Sequence, residues 1–382
     1  MDLTPFRQCR AHKNALFVSN ELAPYRPCCW FEGTIEAKSF DEYQQKLSEI
    51  DIEKACRFCI DIEKSGGKWS HRQHFEADDP NEILVSISFD NLCNLKCITC
   101  FGTNSSQLAL ESTDKKMKRV WLAVQKQGPR KTEFVKKFLS ESTISTLRIE
   151  VLGGEPLINP ALYNFLDWLV IQPYAKQTRV NITTNGTTYD ERIEKYVEEF
   201  DMVNIQMSID GIDDVYEYIR FGNTFDTFKE TLSKFHLLKN SLKDPTKINI
   251  GFCYTLSWMN SLHIAQFFNW LYTTYPAYSQ NVFVSKLEHP KHYSINVLPL
   301  ETRKQIVEQV ENLIIDREAV KVGLNFYIQH MTTTQEFFMP ETFMRRGVKQ
   351  LKINDTLPKR NSSVHSTFKP IFDFLNIHYD TN

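Results

Sequence analysis

The sequence predicts an α/β fold built around an open, partial (β/α)6 barrel. Six short apolar runs of strand type follow one another between residues 83 and 287, and helix-like segments separate them. Strands and helices that alternate at this spacing form βαβ units with a parallel sheet. Six repeats are fewer than the eight that close a barrel. The barrel is therefore expected to be open, with ligands at the carboxyl ends of its strands.

Each predicted element corresponds to its own apolar run or helical period. The strands are predicted over residues 83–89, 146–153, 178–185, 202–209, 248–256 and 281–287. Helices are predicted between them over 116–126, 131–140, 160–171, 189–199, 224–239 and 260–275.

The segments on either side of the barrel differ from it in pattern. The N-terminal segment is cysteine-bearing and irregular apart from a short helix at 39–50, and a linker rich in Gly, Asp and basic residues follows at 64–82. The C-terminal part is mostly helical and begins with an amphipathic helix over 299–316. We therefore expect three regions: a cysteine-rich N-terminal module over 1–80, the barrel over 81–297, and a helical extension over 298–382.

The charge balance and the hydropathy of the sequence argue against two kinds of partner, duplex nucleic acid and a membrane. The 382 residues include 45 basic and 47 acidic ones, for a formal net charge of −2. Such a balance favours neither duplex nucleic acid nor an anionic membrane surface. No stretch approaches the ~20 apolar residues that span a bilayer, and the N-terminus lacks the apolar core of a signal peptide. We expect a cytoplasmic protein in a reducing compartment.

Cysteine usage points to metal chemistry. Eight of the nine cysteines lie in the first 100 residues. An odd number of cysteines in a cytosolic chain argues against a disulfide framework and for thiolate–metal binding.

The motif "FDNLCNLKCITC" places three cysteines on the loop after the first barrel strand. Cys93, Cys97 and Cys100 are spaced C-x3-C-x2-C. A [4Fe–4S] cluster usually takes four cysteine ligands, so three would leave one iron open to an exogenous molecule. The alternative is half of a zinc site, completed by a distant Cys or His.

The next strand ends in "VLGGEPL". Gly153 and Gly154 would let a ligand approach the backbone closely. The carboxylate of Glu155, beside strand-end carbonyls, could bind an ammonium group. The alternative is a Gly-Gly turn with a solvated glutamate.

The two motifs together resemble the radical S-adenosylmethionine (SAM) superfamily over residues 83 to about 290. The resemblance implies that the open iron binds the amino and carboxylate groups of SAM. It implies that one electron cleaves the C–S bond to a 5′-deoxyadenosyl radical, which abstracts a substrate hydrogen. Thr99 departs from the family pattern, in which this position is often aromatic.

Polar residues at later strand ends resemble family positions that contact SAM. Arg220 resembles the arginine that pairs with the SAM carboxylate, a bidentate match that suits guanidinium. Taken singly, a Ser or Thr at a strand end is more often a turn or cap residue. The residues that the resemblance assigns to SAM are Gly153, Gly154, Glu155, Thr184, Asn185, Ser208, Asp210, Arg220, Thr255 and Asn260.

A second set of cysteines precedes the barrel: Cys9, Cys28, Cys29, Cys56 and Cys59. Four of them could form an all-thiolate site, for which zinc and an Fe–S cluster are equally allowed. The stretch "RPCCWFEGTIEAKSFDEYQQKLSEIDIEKACRFC" resembles SPASM/twitch modules, which implies an auxiliary Fe–S cluster. We expect Cys9, Cys28, Cys56 and Cys59 as its ligands, with Cys29 as the alternative to Cys28. The module departs from the usual order, because it precedes the barrel rather than following it.

The resemblance implies a radical SAM enzyme that is oxidoreductase-like or a peptide maturase. Its expected substrate is a peptide or protein, altered by crosslinking, epimerisation or oxidation. Its expected reductant is a protein such as flavodoxin or ferredoxin. One alternative is a radical SAM enzyme acting on a sugar or other small molecule. Another, of a different class, is a non-catalytic zinc-binding interaction protein.

Overall fold

One eight-stranded sheet organises the chain. A computed structural model describes residues 4–21, 24–66, 70, 72–73, 82–337, 340–355 and 363–377. The sheet order is β2-β1-β3-β4-β5-β6-β7-β8, and every neighbouring pair is parallel except β1 and β2. The strands are β1 (Ala15–Val18), β2 (Tyr25–Arg26), β3 (Glu82–Ser88), β4 (Thr146–Leu152), β5 (Thr178–Thr184), β6 (Met202–Ser208), β7 (Ile248–Leu256) and β8 (Val282–Lys286). The predicted α/β fold class is confirmed, and β3 to β8 are the six predicted strands.

The helices connect successive strands and then form the C-terminal part. Before the barrel lie α1 (Thr4–Arg7), α2 (Ala11–Asn14), α3 (Phe40–Ser48), α4 (Ile52–Ala55) and α5 (Arg57–Lys64). Within it lie α6 (Ser106–Glu111), α7 (Lys115–Val124), α8 (Gly128–Glu141), α9 (Pro160–Val170), α10 (Arg192–Glu199), α11 (Asp213–Ile219), α12 (Phe225–Ser241) and α13 (Ile264–Thr274). After it lie α14 (Leu300–Leu313), α15 (Lys321–Thr333), α16 (Pro340–Asp355) and α17 (Val364–Phe374).

The two faces of the barrel sheet differ sharply in polarity, because side chains alternate along each strand. One face carries a row of apolar residues that are paired across the strands and are all fully buried: Ile87, Val151, Ile182, Ile205 and Ile250. The other face carries the neighbouring row Ser86, Glu150, Asn181, Asn204 and Asn249. All of that row except Ser86 is only partly buried. We call this second side the polar face of the sheet.

The N-terminal segment joins the same sheet. β1 pairs in parallel with β3 over four residues, and β2 closes the edge as a two-residue antiparallel strand. The ring of Tyr25 stacks on Phe134 of α8, with 3.7 Å between ring centroids. Sequence patterns predicted no strands here, because such short strands become stable only through their tertiary partners.

The proposed division at residues 80 and 81 stays a prediction. Its boundary, and most of the predicted linker, lie outside the described residues.

The C-terminal helices pack on the barrel near the end of α11. Tyr218 of α11 donates to Asp355 Oδ1 at 3.2 Å and meets the ring of Phe368 edge-on, with 5.2 Å between centroids. The predicted amphipathic helix over 299–316 corresponds to α14. Among the described helices, none combines the length and the apolar character needed to cross a bilayer.

Candidate functional site

The three-cysteine loop lies at the carboxyl end of β3 and is held from two sides. Lys96 N donates to Phe221 O and Ile98 N donates to Ile219 O, each at 2.9 Å, which ties the loop to the end of α11. From the other side, Ser105 Oγ donates to Leu95 O at 2.6 Å. These bonds run along the loop backbone, while Cys93 Sγ accepts from Leu95 N at 3.4 Å and Cys100 Sγ lies 3.7 Å from Phe101 O. The loop is therefore a positioned scaffold for thiol ligands.

Two effects act on the ionisation of the three thiols: burial opposes it, and a nearby positive charge favours it. Burial raises the pKa of Cys93 and of Cys97, and it raises the pKa of Cys100 to about 11. The positive charge of Arg220 acts on all three thiols in the opposite direction and favours the thiolate. Since a metal binds the thiolate form, Arg220 is the cation that would assist ligation here.

The Gly153-Gly154 turn packs against the cysteine loop. Both glycines have positive φ, 74° and 51°. A Cβ on Gly154 would lie 2.3 Å from the backbone oxygen of Leu92, and a Cβ on Gly153 would lie 2.6 Å from Ser88 Oγ. Glu155 N also donates to Leu92 O at 2.6 Å. Gly154 therefore allows the close approach of the cysteine loop, and Gly153 allows that of Ser88 at the end of β3.

The carboxylate of Glu155 is buried and accepts three hydrogen bonds. Leu157 N and Thr184 Oγ1 donate to its Oε1 at 2.9 and 2.8 Å, and Asn185 N donates to its Oε2 at 2.5 Å. Burial raises the pKa of this carboxyl group, while the three donors lower it. In this arrangement Glu155 fixes the end of β5 against the end of β4. Its contact with SAM stays a prediction.

Asn185 links the end of β5 to the cysteine loop. Its Nδ2 donates to Asn94 Oδ1 at 2.9 Å and lies 3.8 Å from Cys93 Sγ. Its Oδ1 accepts from Thr187 N at 2.9 Å. The predicted pair Thr184 and Asn185 therefore lies beside the first cysteine, with both side chains held in place.

Arg220 and Asp210 form a buried ion pair beside the thiols. Arg220 Nε lies 3.1 Å from Asp210 Oδ2, with side-chain exposures of 9% and 1%. Within the part of the chain that the structure describes, that nitrogen nonetheless makes no well-aligned hydrogen bond. The buried guanidinium therefore has an N–H group that could donate to a further acceptor. Its position next to three thiols suits the binding of a carboxylate ligand at an iron site.

Asn260 and Thr255 complete the strand-end cluster. Asn260 Nδ2 donates to Asp210 O and Thr255 O, both at 3.0 Å, and its Oδ1 accepts from Ser257 N at 2.8 Å. Thr255 N donates to Asp210 Oδ1 at 2.8 Å. Asn260 thus holds the β7 end and Asp210 together, and Asp210 in turn holds Arg220. Ser208 lies on the polar face at the end of β6, partly exposed.

The polar face continues from this cluster along the sheet. Asn204 Nδ2 donates to Asn181 Oδ1, and Cys253 lies opposite Ser208 in register. Burial raises the pKa of Cys253. The face therefore offers amide donors and acceptors beside the cysteine loop.

The second set of cysteines separates into two places. Cys9, Cys28, Cys56 and Cys59 line one small hollow, together with Phe6, Ala11, His12 and Arg72. Cys29 lies in a neighbouring cleft, with Trp30 and Phe58. The hollow contains the four predicted ligands and not the alternative, although the ligand set itself stays a prediction.

The surroundings of this hollow oppose the ionisation of two of its thiols when no metal is bound. Burial raises the pKa of Cys28, and it raises the pKa of Cys56 to about 12, so these two thiols would be protonated at neutral pH without a metal. Arg72 contributes a cation at the wall of the hollow and pairs with Glu63. In the described part of the chain, no three His, Cys, Asp or Glu side chains are arranged to hold a single metal ion.

Sequence reasoning missed the residues that support the cysteine loop from behind. Asn91 Nδ2 donates to Gly102 O at 2.7 Å and to Trp121 O at 3.0 Å. Lys131 is fully buried and donates to Ser88 O at 3.0 Å. Neither residue carries a local signal, because each acts on groups far from it in sequence.

Part of the chain that carries this site is similar to known proteins. Residues 87–252 match the family model described as Radical SAM superfamily. An uncharacterized protein of Methanocaldococcus jannaschii is 25% identical over 160 residues, which cover 40% of this chain and 48% of that protein. The chain thus spans about half the length of the curated relative that it matches.

Solved structures that match parts of this chain, at TM-scores below 0.5, include two with bound SAM. Native anSMEcpe with bound AdoMet and Cp18Cys peptide is 15% identical, with a TM-score of 0.41 over 74% of this chain and 67% of that one. Streptococcus suis SuiB bound to S-adenosylmethionine is 16% identical, with a TM-score of 0.34 over 78% of this chain and 54% of that one.

Proposed function

We propose that this chain, which carries a radical SAM domain over residues 87–252, is an enzyme that cleaves SAM reductively and removes a hydrogen from a peptide or protein. Cys93, Cys97 and Cys100 would hold the [4Fe–4S] cluster that binds SAM. When bound, cluster and SAM supply the 5′-deoxyadenosyl radical that abstracts the substrate hydrogen. The observation that carries the proposal is the buried Arg220–Asp210 pair beside three thiols on a loop that the GGEP turn locks in place.

The protein's own residues have separable tasks in this proposal. Arg220 would pair with the carboxylate of SAM, and its position is set by Asp210, which also accepts from Thr255 N. Glu155 holds the turn that carries Thr184 and Asn185. The buried charges of Arg220 and Asp210 are thus paired and the Glu155 carboxylate is hydrogen-bonded before a ligand arrives, so little reorganisation is required on binding.

The polar face supports a substrate rich in hydrogen-bonding groups. Asn181, Asn204 and Asn249 lie in one row across neighbouring strands, and Gln206 lies two residues beyond Asn204 on the same face. Amide side chains offer both a donor and an acceptor, which matches the backbone of an extended peptide. The hollow lined by Cys9, Cys28, Cys56 and Cys59 would hold an auxiliary Fe–S cluster that accepts one electron from the radical left on the peptide after hydrogen abstraction, which gives the closed-shell product.

The test is an anaerobic assay of 5′-deoxyadenosine formed from SAM and dithionite. The wild-type chain, Cys97→Ala and the exposed control Ser140→Ala are compared, with iron and zinc measured in each. We expect the nucleoside from the wild type and the control, and at least about a hundredfold less from Cys97→Ala, because one cluster ligand is lost. A colourless zinc protein that forms no nucleoside would refute the proposal and favour the zinc-binding interaction protein.

A further inference from the structure

Glu150 is a partly buried carboxylate on the polar face of the sheet. It lies on β4, in register with Ser86 of β3 on one side and Asn181 of β5 on the other. Burial raises the pKa of its carboxyl group. Over the part of the chain that the structure describes, neither a hydrogen bond nor an ion pair reaches the carboxylate oxygens. Burying a charge without a partner costs free energy, so the fold itself gains nothing from a carboxylate here.

Two arginines lie near Glu150 on the polar face, but each is paired with another carboxylate. Arg148 precedes Glu150 by two residues, and its Nη2 lies 2.9 Å from Glu82 Oε2. Arg179 is in register with Arg148, and its Nε lies 2.8 Å from Asp201 Oδ2. The charge of Arg148 lowers the pKa of Glu150, whereas that of Glu82 raises it. Glu82, Arg148 and Glu150 together therefore carry one negative charge in excess.

Arg26 is a third cation on this face, and it lies farther from Glu150. Arg26 of β2 is in register with Phe17 of β1. Phe17 is in register with Ser86, the neighbour of Glu150. Three strand spacings of about 4.8 Å thus separate the backbones of Arg26 and Glu150, and among the described residues no ion pair joins the two side chains. Burial raises the pKa of Cys29 to about 11, and Glu150 and Arg26 act on that thiol with opposite signs. The two charges therefore act on one region without being paired.

The strands around Glu150 carry both cysteine sites. The three-cysteine loop follows β3, and Ser86 of β3 is the register neighbour of Glu150. On the far side of β3, Phe17 of β1 and Cys28 pack against one apolar cluster that contains Cys9. Glu150 thus lies one strand from β3, which leads to the three-cysteine loop, and two strands from β1, which contacts the hollow of the second cysteine set. A substrate group held by Glu150 would lie beside the strands that lead to both sites.

From these observations we infer that Glu150 binds a cationic side chain, lysine or arginine, of the peptide substrate. The inference rests on the proposed function, because a peptide on the polar face would bring such a side chain to Glu150. An ammonium or guanidinium group donates charge-assisted hydrogen bonds to a carboxylate, and it would supply the charge that the neighbouring residues lack. The alkyl stem of such a side chain packs on apolar surface, which Phe17 offers across Ser86. Charge at one position of the peptide would therefore determine which substrates are accepted.

The test uses pools of random hexapeptides as probes. Four pools are blocked at both ends and have lysine, arginine, norleucine or glutamate fixed at one central position. A fifth pool has norleucine there and a free amino terminus. The wild type, Glu150→Gln and the exposed control Glu308→Gln on α14 are each loaded with iron, sulfide and SAM under anaerobic conditions. Peptides that each protein retains are then quantified by mass spectrometry.

We expect the wild type and Glu308→Gln to retain the lysine and arginine pools at least about tenfold better than the norleucine pool, because a hydrogen bond to a charged group is strong. Glu150→Gln keeps the size of the side chain and removes its charge, so it should retain these three pools alike. The charge-reversed variant Glu150→Lys should instead favour the glutamate pool.

Three results would overturn the inference. One is an equal preference for the cationic pools in the wild type and in Glu150→Gln. Another is a loss of all pools alike in Glu150→Gln, which would indicate a structural role. The third is retention of only the pool with a free amino terminus, which would exclude a side-chain subsite. A wild type that forms no 5′-deoxyadenosine with dithionite would refute the proposed function, while the comparison of the pools would still decide on Glu150.

Discussion

At the scale of single residues, the buried charges at the strand ends act mainly on one another. Glu155 accepts from the backbone and side chain of the β5 end, and Asp210 accepts from the β7 backbone while it pairs with Arg220. An unpaired buried charge is strongly disfavoured, so these partners are needed even without a ligand. Sequence motifs predicted these residues as a SAM site, which stays a prediction, and they could not show that Glu155 points into the protein framework.

The two adjacent cysteines at 28 and 29 allow a sharp test of the auxiliary site. Cys28 lies in the hollow with the other three thiols, whereas Cys29 lies in the neighbouring cleft. If both sites hold [4Fe–4S] clusters, the wild type contains about eight irons per chain, and Cys28→Ala should contain about four. Cys29→Ala should match the wild type in anaerobic iron and sulfide analysis. Iron loss in Cys29→Ala but not in Cys28→Ala would reverse the assignment.

At the scale of elements, the cysteine loop and the GGEP turn form one interlocked unit. Gly154 accepts the close approach of Leu92 O, and Glu155 N donates to the same oxygen. The two motifs lie more than fifty residues apart in sequence, yet the parallel pairing of β3 and β4 brings their carboxyl ends together. The glycines therefore serve the protein's own packing, in addition to any ligand they admit.

Gly154→Ala tests this interlock, with Gly66→Ala as the matched control. Both glycines have positive φ, but a Cβ on Gly66 meets nothing within 4 Å. Gly66→Ala should lower the free energy of unfolding only by the cost of the left-handed backbone, about 1–2 kcal/mol. Gly154→Ala should lose about 1–3 kcal/mol more, because the added methyl overpacks against a backbone oxygen. Urea unfolding measures both, and equal losses would contradict the interlock.

At the scale of the whole molecule, the N-terminal segment and the barrel share one sheet and one buried lysine. Lys131 of α8 donates to Asn20 Oδ1 at 3.2 Å and to Ser88 O at 3.0 Å, so it bridges the segment after β1 and the end of β3. Burial lowers the pKa of Lys131 to about 8. Helix α8 therefore holds the cysteine-rich segment against the barrel through Lys131, whose positive charge is costly to bury. We call this link the Lys131 clamp.

This clamp predicts a pH dependence of stability. Below pH 8, Lys131 is protonated in both the folded and the unfolded chain, and the burial cost is present in full. Between pH 8 and 10.5 the folded chain releases the proton first, so the unfolded chain binds more protons and stability rises with pH. Over this pH range, the release of the Lys131 proton should raise the free energy of unfolding by about 2–3 kcal/mol.

The measurement compares urea unfolding from pH 7.5 to 10.5 for the wild type, Lys131→Met and the exposed control Lys234→Met. Cysteines titrate in the same pH range. The rise in the free energy of unfolding is therefore taken as the difference between the wild type and each variant. The wild type and the control should show it, and Lys131→Met should not. The same slope in all three proteins would exclude Lys131 as its source.

The sequence by itself determined the six barrel strands, the order of the strand ends and the three-cysteine loop. These are local signals, because apolar runs, helical periods and short motifs can be recognised without knowledge of distant contacts. Only the tertiary structure decided that Ala15–Val18 and Tyr25–Arg26 extend the sheet, that Lys131 clamps them, and that four early cysteines share one hollow without Cys29. Short strands and buried polar groups take their stability from partners far along the chain, and no local pattern encodes those partners.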